Sequence, residues 1–294
     1  MNKLIAGALG ALCLAATALP SHAYTPQVLR VGFTPWENPQ DMAKSAGPIV
    51  EILSKATGMK VQPFLSSDYA GVINAMQVGK VDLAFFPPGA YVMAEKKAGA
   101  EVILKSQFNG RALYYAAIFT EKDSGIKSLK DLKGKTMAFV DPTSTSGGIY
   151  PKVMLMNAGI NPDRDLKRVI YAGGHDAAVL AVARGKVQAG AAYANDPKGI
   201  QSAWNLLLKD PRDREKIRLL AVSKPIPADN ISVRKGLSPK IVGAIKKAFL
   251  DLSATPEGRA RIKEIYHVDG FVPAAPADYA SVREAFGKVG LSIK

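Results

Sequence analysis

Short apolar runs typical of β-strands alternate along this chain with segments whose apolar residues are spaced for helices. In one such segment the apolar positions include Ile49, Ile52 and Leu53, and a glycine follows where the pattern stops. Short apolar strands separated by helices are typical of a mainly parallel sheet with helices on both faces, so the pattern predicts an α/β fold. The predicted elements of the first part of the chain are strands at 28–33, 60–64 and 81–86 and helices at 47–57 and 69–78.

The middle of the chain repeats this plan. Two α/β units of this size predict two lobes with a cleft between them. Open α/β sheets bind ligands at the carboxyl ends of their strands, so we expect the ligand site in the cleft. The elements predicted for the second unit are strands at 136–140 and 168–171, helices at 148–157 and 177–183, and an apolar stretch at 187–193.

Two strand-like connectors, at 113–120 and 219–225, mark the expected boundaries between the lobes. After Pro227 the sequence turns helical, and we expect this part to pack back onto the first lobe. The length of the chain agrees with two lobes, because a domain usually takes about 100–200 residues. The predicted division assigns 24–117 and 225–294 to the first lobe and 118–224 to the second.

The first 23 residues have the features of a cleaved signal peptide. Lys3 supplies a positive charge, residues 4–19 form an apolar run, and residues 21–23 fit a cleavage site that ends in a small residue. The one cysteine of the chain, Cys13, lies inside the apolar run, so no disulfide, thiolate metal site or cysteine nucleophile is predicted in the mature protein. We expect export to a bacterial periplasm; an uncleaved membrane anchor is the alternative.

The chain is strongly basic, with 39 Lys and Arg against 25 Asp and Glu and a formal net charge of +14 at pH 7. Proteins that bind nucleic acid usually concentrate such charge in one patch or along one helix. Here the basic residues are scattered, and the predicted export also argues against nucleic acid as a partner. A diffuse positive field that attracts small anions is the better interpretation.

The strongest local signal is the stretch Asp-Pro-Thr-Ser-Thr-Ser-Gly-Gly at 141–148, between a predicted strand and a predicted helix. Ser144, Thr145 and Ser146 offer hydroxyl donors, and the two glycines let the backbone approach a ligand closely. The start of the following helix adds unpaired N–H groups and the positive end of its dipole. The stretch therefore predicts a site for a tetrahedral oxyanion. Simple helix capping by serine or threonine is the alternative.

His175 and several aromatic residues are further candidates for the site. His175 follows two glycines after a predicted strand, where it could donate a hydrogen bond to an anion, and a helix cap or surface position is the alternative. Tyrosine hydroxyls in the cleft would add donors, whereas a core position is the alternative for each ring. The aromatic candidates are Tyr69, Tyr114, Tyr115, Phe85 and Phe86.

Catalysis has little support in the sequence. The chain has three histidines, one of them in the predicted signal peptide, and it lacks the motifs of metallohydrolases, serine hydrolases and nucleotide-binding loops. The enzymatic alternative is a phosphoryl-transferring hydrolase that uses Ser144 or Ser146, for which only His175 could serve as a base. We therefore predict a binding protein without catalytic residues, metal or cofactor.

Four parts of the sequence resemble the phosphonate-, phosphite- and phosphate-binding components of ABC importers, which are PhnD-like type II periplasmic binding proteins. Their order and spacing match across nearly the whole predicted mature chain, and the Asp-Pro-x-Ser-Thr-Ser-Gly element is the most specific of them. The resemblance implies two α/β lobes that close around the ligand by a hinge motion. The matching parts lie at 67–73 with 80–84, at 141–147, at 174–176 with 181–183, and at 226–229.

The resemblance also implies a set of ligand-binding residues. Such a protein delivers its ligand to an ABC transporter permease at the inner membrane, and we expect it to act as a monomer. A module that presents the ligand to a signalling receptor is the alternative. The family's binding groups fall on Ser144, Thr145 and Ser146, whose hydroxyls would hold the phosphoryl oxygens, and on Tyr69, Tyr114, His175 and Asp229.

One departure from the family bears on the ligand. Members that bind aminoalkylphosphonates place a second carboxylate just after the strand that is predicted to end near Tyr193, whereas this chain has Asn195 there, followed by Asp196. Because an unpaired buried ammonium is costly, phosphite or a short alkylphosphonate is favoured as the ligand. The alternatives are phosphate and an aminoalkylphosphonate whose amine pairs with Asp196.

Overall fold

A computed structural model of the chain describes residues 23–290. The predicted signal peptide at 1–23 lies outside the described residues, apart from Ala23, and so do the last four positions of the predicted first lobe. Within the described range, every helix is too short or too polar to cross a membrane.

Strands and helices alternate over most of the described chain. The strands are β1 (Val28–Phe33), β2 (Lys60–Leu65), β3 (Leu83–Phe86), β4 (Glu101–Gln107), β5 (Leu113–Glu121), β6 (Thr136–Phe139), β7 (Arg168–Tyr171), β8 (Ala189–Ala194), β9 (Ile217–Val222), β10 (Ile226–Pro227), β11 (Asn230–Val233) and β12 (Gly270–Pro273). The helices are α1 (Pro39–Thr57), α2 (Tyr69–Gln77), α3 (Pro88–Ala98), α4 (Tyr150–Asn157), α5 (Pro162–Asp165), α6 (His175–Ala183), α7 (Ala203–Leu207), α8 (Pro211–Glu215), α9 (Pro239–Ala254), α10 (Pro256–Tyr266) and α11 (Ala280–Lys288). A π-helical turn, Thr145–Ile149, precedes α4, and 3-10 turns lie at Leu129–Leu132 and Pro276–Tyr279.

The first sheet has six strands in the order β12-β4-β11-β3-β1-β2. Its strand β1 pairs in parallel with both β2 and β3. Strand β11 lies antiparallel between β3 and β4, and β12 adds to β4 in the antiparallel direction. Apolar side chains of α1 and α9, among them Leu53, Ile245 and Phe249, cover one face of this sheet.

The second sheet has the order β10-β5-β8-β6-β7, and β9 pairs with β5 outside this path. Strand β6 pairs in parallel with β7 and β8. Strand β5 pairs in the antiparallel direction with β8, β9 and β10. Each sheet therefore combines three parallel strands, here called its parallel nucleus, with antiparallel strands. The parallel nucleus is β2-β1-β3 in the first sheet and β7-β6-β8 in the second.

The predicted α/β architecture with two lobes is confirmed, but the prediction of mainly parallel sheets is wrong, because both sheets are mixed in strand direction. The antiparallel strands β5, β10 and β11 border the two places where the chain passes from one sheet to the other. A strand that enters a sheet from the other lobe needs no crossover helix beside its neighbour, so it can run antiparallel to it. The alternating pattern of the sequence shows the parallel nucleus but not these crossings.

The lobe boundaries follow from the sheets. Strand β5 belongs to the second sheet over its whole length, whereas the predicted boundary at 117/118 falls inside it. The predicted connector at 219–225 also overlaps a strand of the second sheet, β9. We propose that the chain leaves the first lobe at 108–112 and returns to it at 228–229.

One cluster of buried apolar side chains is shared by the two lobes. It includes Val72 and Tyr91 from helices of the first lobe and Phe119 and Val179 from the second. Burial of apolar surface from both sides of the cleft stabilises the contact between the lobes. The structure therefore has the two lobes in contact across the cleft.

Candidate ligand-binding site

A cavity lies between the two sheets and is lined by residues of both lobes. Its volume of about 70 Å³ is several times the roughly 10–15 Å³ that one water molecule needs, so it can hold a small polyatomic ion. The lining residues come mainly from strand ends, helix ends and loops. They are Thr34, Trp36, Tyr69, Pro87, Phe108, Tyr114, Ser146, His175, Tyr193, Asn195, Asp229, Tyr266, His267 and Val268.

Most of the predicted ligand-binding residues line this cavity. The lining residues among them are Tyr69, Tyr114, Ser146, His175, Asn195 and Asp229. The other two, Ser144 and Thr145, are buried beside Ser146 in the same turn. The structure brings these side chains together, and their contacts with a ligand stay a prediction.

The turn that contains Ser144 joins β6 to the following helix. It continues into the π-helical turn, so α4 itself starts at Tyr150 and not at the predicted residue 148. The Ser144 hydroxyl oxygen accepts a hydrogen bond from the Gly147 N–H at 3.2 Å, which is the capping interaction typical of serine. The hydroxyl proton is free to donate elsewhere, since a serine oxygen can accept and donate at once. Capping and ligand binding are therefore compatible at Ser144.

Thr145 connects the same turn to the opposite lobe. Its Oγ1 accepts a hydrogen bond from the backbone N–H of Gly89, in the first turn of α3, at 2.7 Å. Glycine is required at position 89 in this arrangement, because a Cβ there would lie 2.6 Å from the Thr143 carbonyl oxygen. Thr145 therefore joins the hydroxyl-rich turn to the first lobe across the closed cleft.

His175 is the first residue of α6 and is almost completely buried. Its backbone N–H donates to the Trp36 carbonyl of the other lobe at 2.9 Å, and its ring packs edge-on against Tyr193 with 5.0 Å between the centroids. Burial lowers the pKa of His175 to about 3, so the imidazole is neutral. Its Nδ1 is buried and has no hydrogen-bond partner within residues 23–290, which leaves this atom for a ligand or a water molecule.

Two tyrosines reach the cavity from opposite lobes, Tyr69 at the start of α2 and Tyr114 in β5. Burial, reinforced by the negative charge of Asp229, raises the pKa of Tyr114 well above its ordinary value, and burial also raises that of Tyr69. Both hydroxyls therefore keep their protons. The hydroxyls of Thr145 and Ser146 lie close enough to the Tyr114 hydroxyl to oppose the rise of its pKa, but none of the described residues makes a well-formed hydrogen bond with it. It can donate to an anion in the cavity.

Asp229 and Asn195 place oxygen acceptors beside these donors. The Asp229 Oδ1 and the Asn195 Oδ1 are both buried without a hydrogen-bond partner among the described residues. Burial raises the pKa of Asp229 to about 7, so its carboxyl group is largely protonated below neutral pH. Buried acceptors without partners are costly, and a ligand that carries a proton or another donor would satisfy them.

The lining of the cavity contains no lysine or arginine. Residues 23–290 also contain no group of three or more His, Cys, Asp or Glu side chains that could hold a metal ion. The groups that face the cavity are therefore neutral donors and acceptors, apart from Asp229 when it is ionised. Such a site can hold a small oxyanion through hydrogen bonds without a full opposing charge.

Three of the aromatic candidates lie in the core and not in the cavity lining. Tyr115 follows Tyr114 in β5, and successive side chains of a strand point to opposite faces. The Phe85 ring stacks on Phe33 with 5.3 Å between the centroids, and Phe86 belongs to the buried cluster shared by the lobes. The core alternative is therefore the correct one for Tyr115, Phe85 and Phe86.

Several lining residues were missed by the sequence analysis. Trp36 follows the first strand, and its place at a strand end in an open α/β sheet is a signal that could have found it. Tyr266 and His267 close α10, far from any hydroxyl or glycine motif. Only the tertiary fold brings them to the cavity. The other missed residues are Thr34, Pro87, Phe108, Tyr193 and Val268.

Hydrogen bonds at the rim connect the lobes around the cavity. Asn38 donates its backbone N–H to the Asp176 carboxylate at 3.2 Å. On another side, the amide side chains of Asn109 and Gln201 exchange two hydrogen bonds of 3.2–3.3 Å. Together with the His175 and Thr145 contacts, these bonds hold the cleft in a closed form.

Comparison with known proteins identifies related chains. Residues 31–279 match the family model described as ABC transporter, phosphonate, periplasmic substrate-binding protein. The chain is 31% identical to the phosphate-import protein PhnD of Mycolicibacterium smegmatis over 90% of this chain and 87% of that protein. It is 29% identical to the phosphonates-binding periplasmic protein of Escherichia coli over 84% of this chain and 72% of that protein.

A solved structure has the same fold. It is the binding protein component of an ABC phosphonate transporter from Pseudomonas aeruginosa, with a TM-score of 0.80 and 24% sequence identity. The match covers 91% of this chain and 89% of that one. It agrees with the two-lobed architecture described above.

Proposed function

Because this chain belongs to the family of periplasmic substrate-binding proteins of phosphonate ABC transporters, we propose that it captures phosphite or a short alkylphosphonate between its lobes. The observation that carries the proposal is the convergence of neutral donors from both lobes on one closed cavity without lysine or arginine. Members of this family are binding components of transporters and not enzymes, which confirms the prediction of a non-catalytic protein.

The proposed binding mode uses the hydroxyl-rich turn as the main oxyanion holder. Ser144, Thr145 and Ser146 donate hydroxyl protons to the phosphoryl oxygens, and Tyr69 and Tyr114 donate from opposite sides of the cleft. Neutral His175 donates from its protonated ring nitrogen. Closure of the lobes excludes water, so each charge-assisted hydrogen bond is stronger than it would be in solvent.

Asp229 sets a preference among oxyanions in this proposal. A deprotonated carboxylate next to a dianion is repulsive, whereas one proton shared between Asp229 and a ligand oxygen is favourable. Phosphite and phosphonates can supply such a proton near neutral pH, and sulfate cannot. Sulfate brings no proton, so above the Asp229 pKa of about 7 it would meet an unpaired carboxylate and be disfavoured.

Asn195 and Asp196 favour a ligand without an amine. The Asn195 side chain lines the cavity but has no charge to pair with an ammonium group. The Asp196 carboxylate accepts hydrogen bonds from the backbone N–H groups of Lys198 at 2.8 Å and Gln201 at 2.6 Å, in an exposed turn. These bonds occupy it outside the cavity, which weakens the aminoalkylphosphonate alternative.

The family indicates where the protein acts and which partner it has. The family is periplasmic. We propose that residues 1–23 are removed on export and that the closed form of a monomer docks on an ABC transporter permease.

Calorimetric titration of the purified protein tests the proposal. At pH 8, where Asp229 is ionised unless it shares a ligand proton, we expect binding of phosphite, methylphosphonate or both, weaker binding of phosphate and 2-aminoethylphosphonate, and no binding of sulfate. The double variant Ser144→Ala, Thr145→Ala should lose at least about 100-fold in affinity, since each hydrogen bond to a charged group contributes about 1.5–3 kcal/mol. The variant Asp229→Asn should have a smaller difference in affinity between the phosphorus oxyanions and sulfate than the wild type has.

Ser128→Ala is a suitable control, because this serine lies at an exposed turn of the second lobe and hydrogen-bonds only its own turn. Its affinity should equal that of the wild type. Absence of heat with every phosphorus oxyanion, or an unchanged affinity in the double variant, would contradict the proposed function.

A further inference from the structure

The basic residues are scattered along the sequence, but the fold gathers many of them at one end of the second lobe. This end consists of the loops that enter β6, β7 and β8 and the loop that leaves β5, because β5 runs antiparallel to its neighbour β8. Eight exposed basic residues lie there and are here called the basic end. They are Lys122, Lys127, Lys130, Lys133, Lys135, Lys167, Arg168 and Lys186.

Backbone hydrogen bonds join these loops into one surface. The N–H of Lys122 donates to the Lys216 carbonyl at 2.6 Å, and the N–H of Lys167 donates to the Lys135 carbonyl at 2.9 Å. Leu132, in the loop between β5 and β6, is fully buried in the core of this lobe and fixes that loop. The basic residues are therefore held close to one another by the fold.

The charge of the basic end is not neutralised by ion pairs. Within residues 23–290, none of its eight side chains forms an ion pair with a carboxylate. Carboxylates in these segments are fewer, at Glu121, Asp123, Asp131, Asp163 and Asp165. The last two pair with Lys152 and Arg164, which are outside the basic end. Asp131 accepts the backbone N–H groups of Lys127 and Ser128 at 2.9 and 2.8 Å. The surface therefore presents excess positive charge to solvent.

The basic end lies far from the ligand cavity. Strand β5 starts beside the cavity with Tyr114 and reaches the basic end with Glu121, and seven residues of extended strand cover about 24 Å. The opposite ends of β6, β7 and β8 lead to Ser146, His175 and Asn195 in the cavity. A partner bound at the basic end therefore does not cover the ligand site.

The chemistry of the basic end favours a lipid surface over a protein or a nucleic acid. Seven of its eight residues are lysines, which are depleted in protein interfaces. The large apolar side chains that are exposed within residues 23–290, including every exposed aromatic ring among them, lie in other segments. The basic end therefore has neither the apolar centre of a protein interface nor the stacking rings of a site for single-stranded nucleic acid. Clustered lysines bind anionic lipid headgroups through charge alone.

We propose that the basic end binds the surface of the inner membrane through its anionic lipid headgroups. The family is periplasmic and serves an ABC transporter, so this surface is within reach. Such binding would keep the protein near the transporter and leave the cavity open to the ligand. The inference does not depend on which oxyanion the cavity holds.

Cosedimentation of the purified protein with phosphatidylcholine vesicles, with and without phosphatidylglycerol, tests the inference. We expect binding only when phosphatidylglycerol is present, and a loss of this binding between about 20 and 200 mM salt, because salt screens charges. The triple variant Lys130→Gln, Lys133→Gln, Lys167→Gln should bind the vesicles about 100-fold more weakly, since each lysine near an anionic bilayer contributes about fivefold.

The triple variant Lys55→Gln, Lys80→Gln, Lys240→Gln is the matched control, because it removes the same charge from exposed positions of the first lobe. Its vesicle binding should stay within about twofold of the wild type, since distant charges are screened. Both triple variants should keep the wild-type Tm and the wild-type affinity for phosphorus oxyanions.

A site-directed comparison separates this surface from the cavity. The double variant Ser144→Ala, Thr145→Ala should bind vesicles as the wild type does, and a loss of binding there would place the lipid phosphate in the cavity and overturn the inference. Equal losses in the two triple variants, or binding to phosphatidylcholine alone, would also overturn it. Binding to soluble polyglutamate in place of the vesicles would indicate an acidic protein as the partner. None of these outcomes changes the calorimetric test of the proposed function.

Discussion

His175 and Asp229 face the same cavity, and burial shifts the pKa of each side chain in the direction that favours its neutral form. The pKa of His175 is lowered to about 3 and that of Asp229 is raised to about 7, because the charged form of each side chain loses its hydration. An anion that enters such a cavity brings the charge with it. The proton on Asp229 is then available to be shared with a ligand oxygen.

The pKa of Asp229 gives the ligand-free protein a specific pH dependence. Between about pH 4 and pH 7 the unfolded chain releases this proton while the folded protein keeps it, so the contribution of Asp229 to stability is lost as the pH rises through this range. Asp229→Asn removes the effect. We expect the variant to be more stable than the wild type at pH 8 by at least about 1 kcal/mol, or about 2–4 °C in Tm.

Thermal unfolding of both proteins between pH 4 and pH 8 measures this difference. The shifted pKa of His175 acts in the opposite direction, but it is common to both proteins and cancels in their comparison. The stability difference should grow from pH 4 to pH 7 and then stay constant. A difference that does not depend on pH would show that the Asp229 carboxyl group titrates normally.

At the scale of single elements, the sequence pattern predicts the parallel nucleus well. The strands at 28–33 and 168–171 have the predicted bounds, because short apolar runs between turn residues have few alternatives. Helix α1 starts at Pro39 and not at residue 47. Its true start carries its own signals, an Asn38 side chain that accepts the Asp41 N–H and a proline in the first turn. The Gly47-Pro48 pair is typical of a helix start or break, so these signals were not recognised in the sequence. The buried packing of Ile49 and its neighbours keeps the helix continuous through Pro48.

Helix α3 is an element that the pattern did not predict. It starts with Pro87-Pro88-Gly89, which are turn residues in most contexts. In the structure this start faces the second lobe, and the Gly89 N–H donates to Thr145. Because the first residues of α3 contact the other lobe, they do not follow the spacing of apolar residues that identifies a helix in the sequence.

Substitution of Gly89 by alanine should leave the folding of the chain intact but hinder closure of the two lobes. The three nearest atoms that a Cβ at this position would meet outside its own helix, at 2.5–3.2 Å, belong to Ile149, Thr143 and Thr145 of the second lobe. The open form should tolerate the change, since alanine favours a helix. The closed form should not, and we expect at least a tenfold loss of affinity in calorimetry, with Tm equal to or above that of the wild type.

Gly243→Ala is the matched control for this prediction. Gly243 lies inside α9, and a Cβ there meets nothing within 4 Å. This variant should gain about 0.5–1 kcal/mol in stability and bind ligand as the wild type does. Equal affinities for Gly89→Ala and Gly243→Ala would mean that the contact between α3 and the Ser144 turn does not form when ligand binds.

At the scale of the whole molecule, the two halves of the site differ in how far sequence could predict them. The oxyanion half is encoded in one contiguous stretch, 141–148, and in a histidine at a strand end, so local chemistry is enough to find it. The aromatic part of the lining brings Trp36 together with Tyr266 and His267, although more than two hundred positions separate Trp36 from the other two. Only the return of the chain to the first sheet brings these residues together.

The net charge of +14 affects the association of the whole molecule with an anionic ligand. With no lysine or arginine in the cavity lining, the positive charge attracts an anionic ligand from a distance and does not hold it. We expect the association rate to fall several-fold between about 20 and 200 mM salt, with a nearly constant dissociation rate, because salt screens distant charges. Stopped-flow fluorescence can follow this, since Trp36 lines the cavity. A salt effect mainly on dissociation would instead indicate a charged partner within the site.

A crystal structure of the protein with methylphosphonate would show whether neutral donors hold a phosphorus oxyanion between the lobes. We expect phosphoryl oxygens within hydrogen-bonding distance of the Ser144 and Ser146 hydroxyls and of the Tyr114 hydroxyl. A ligand bound elsewhere, or one whose oxygens contact lysine or arginine side chains, would contradict this expectation.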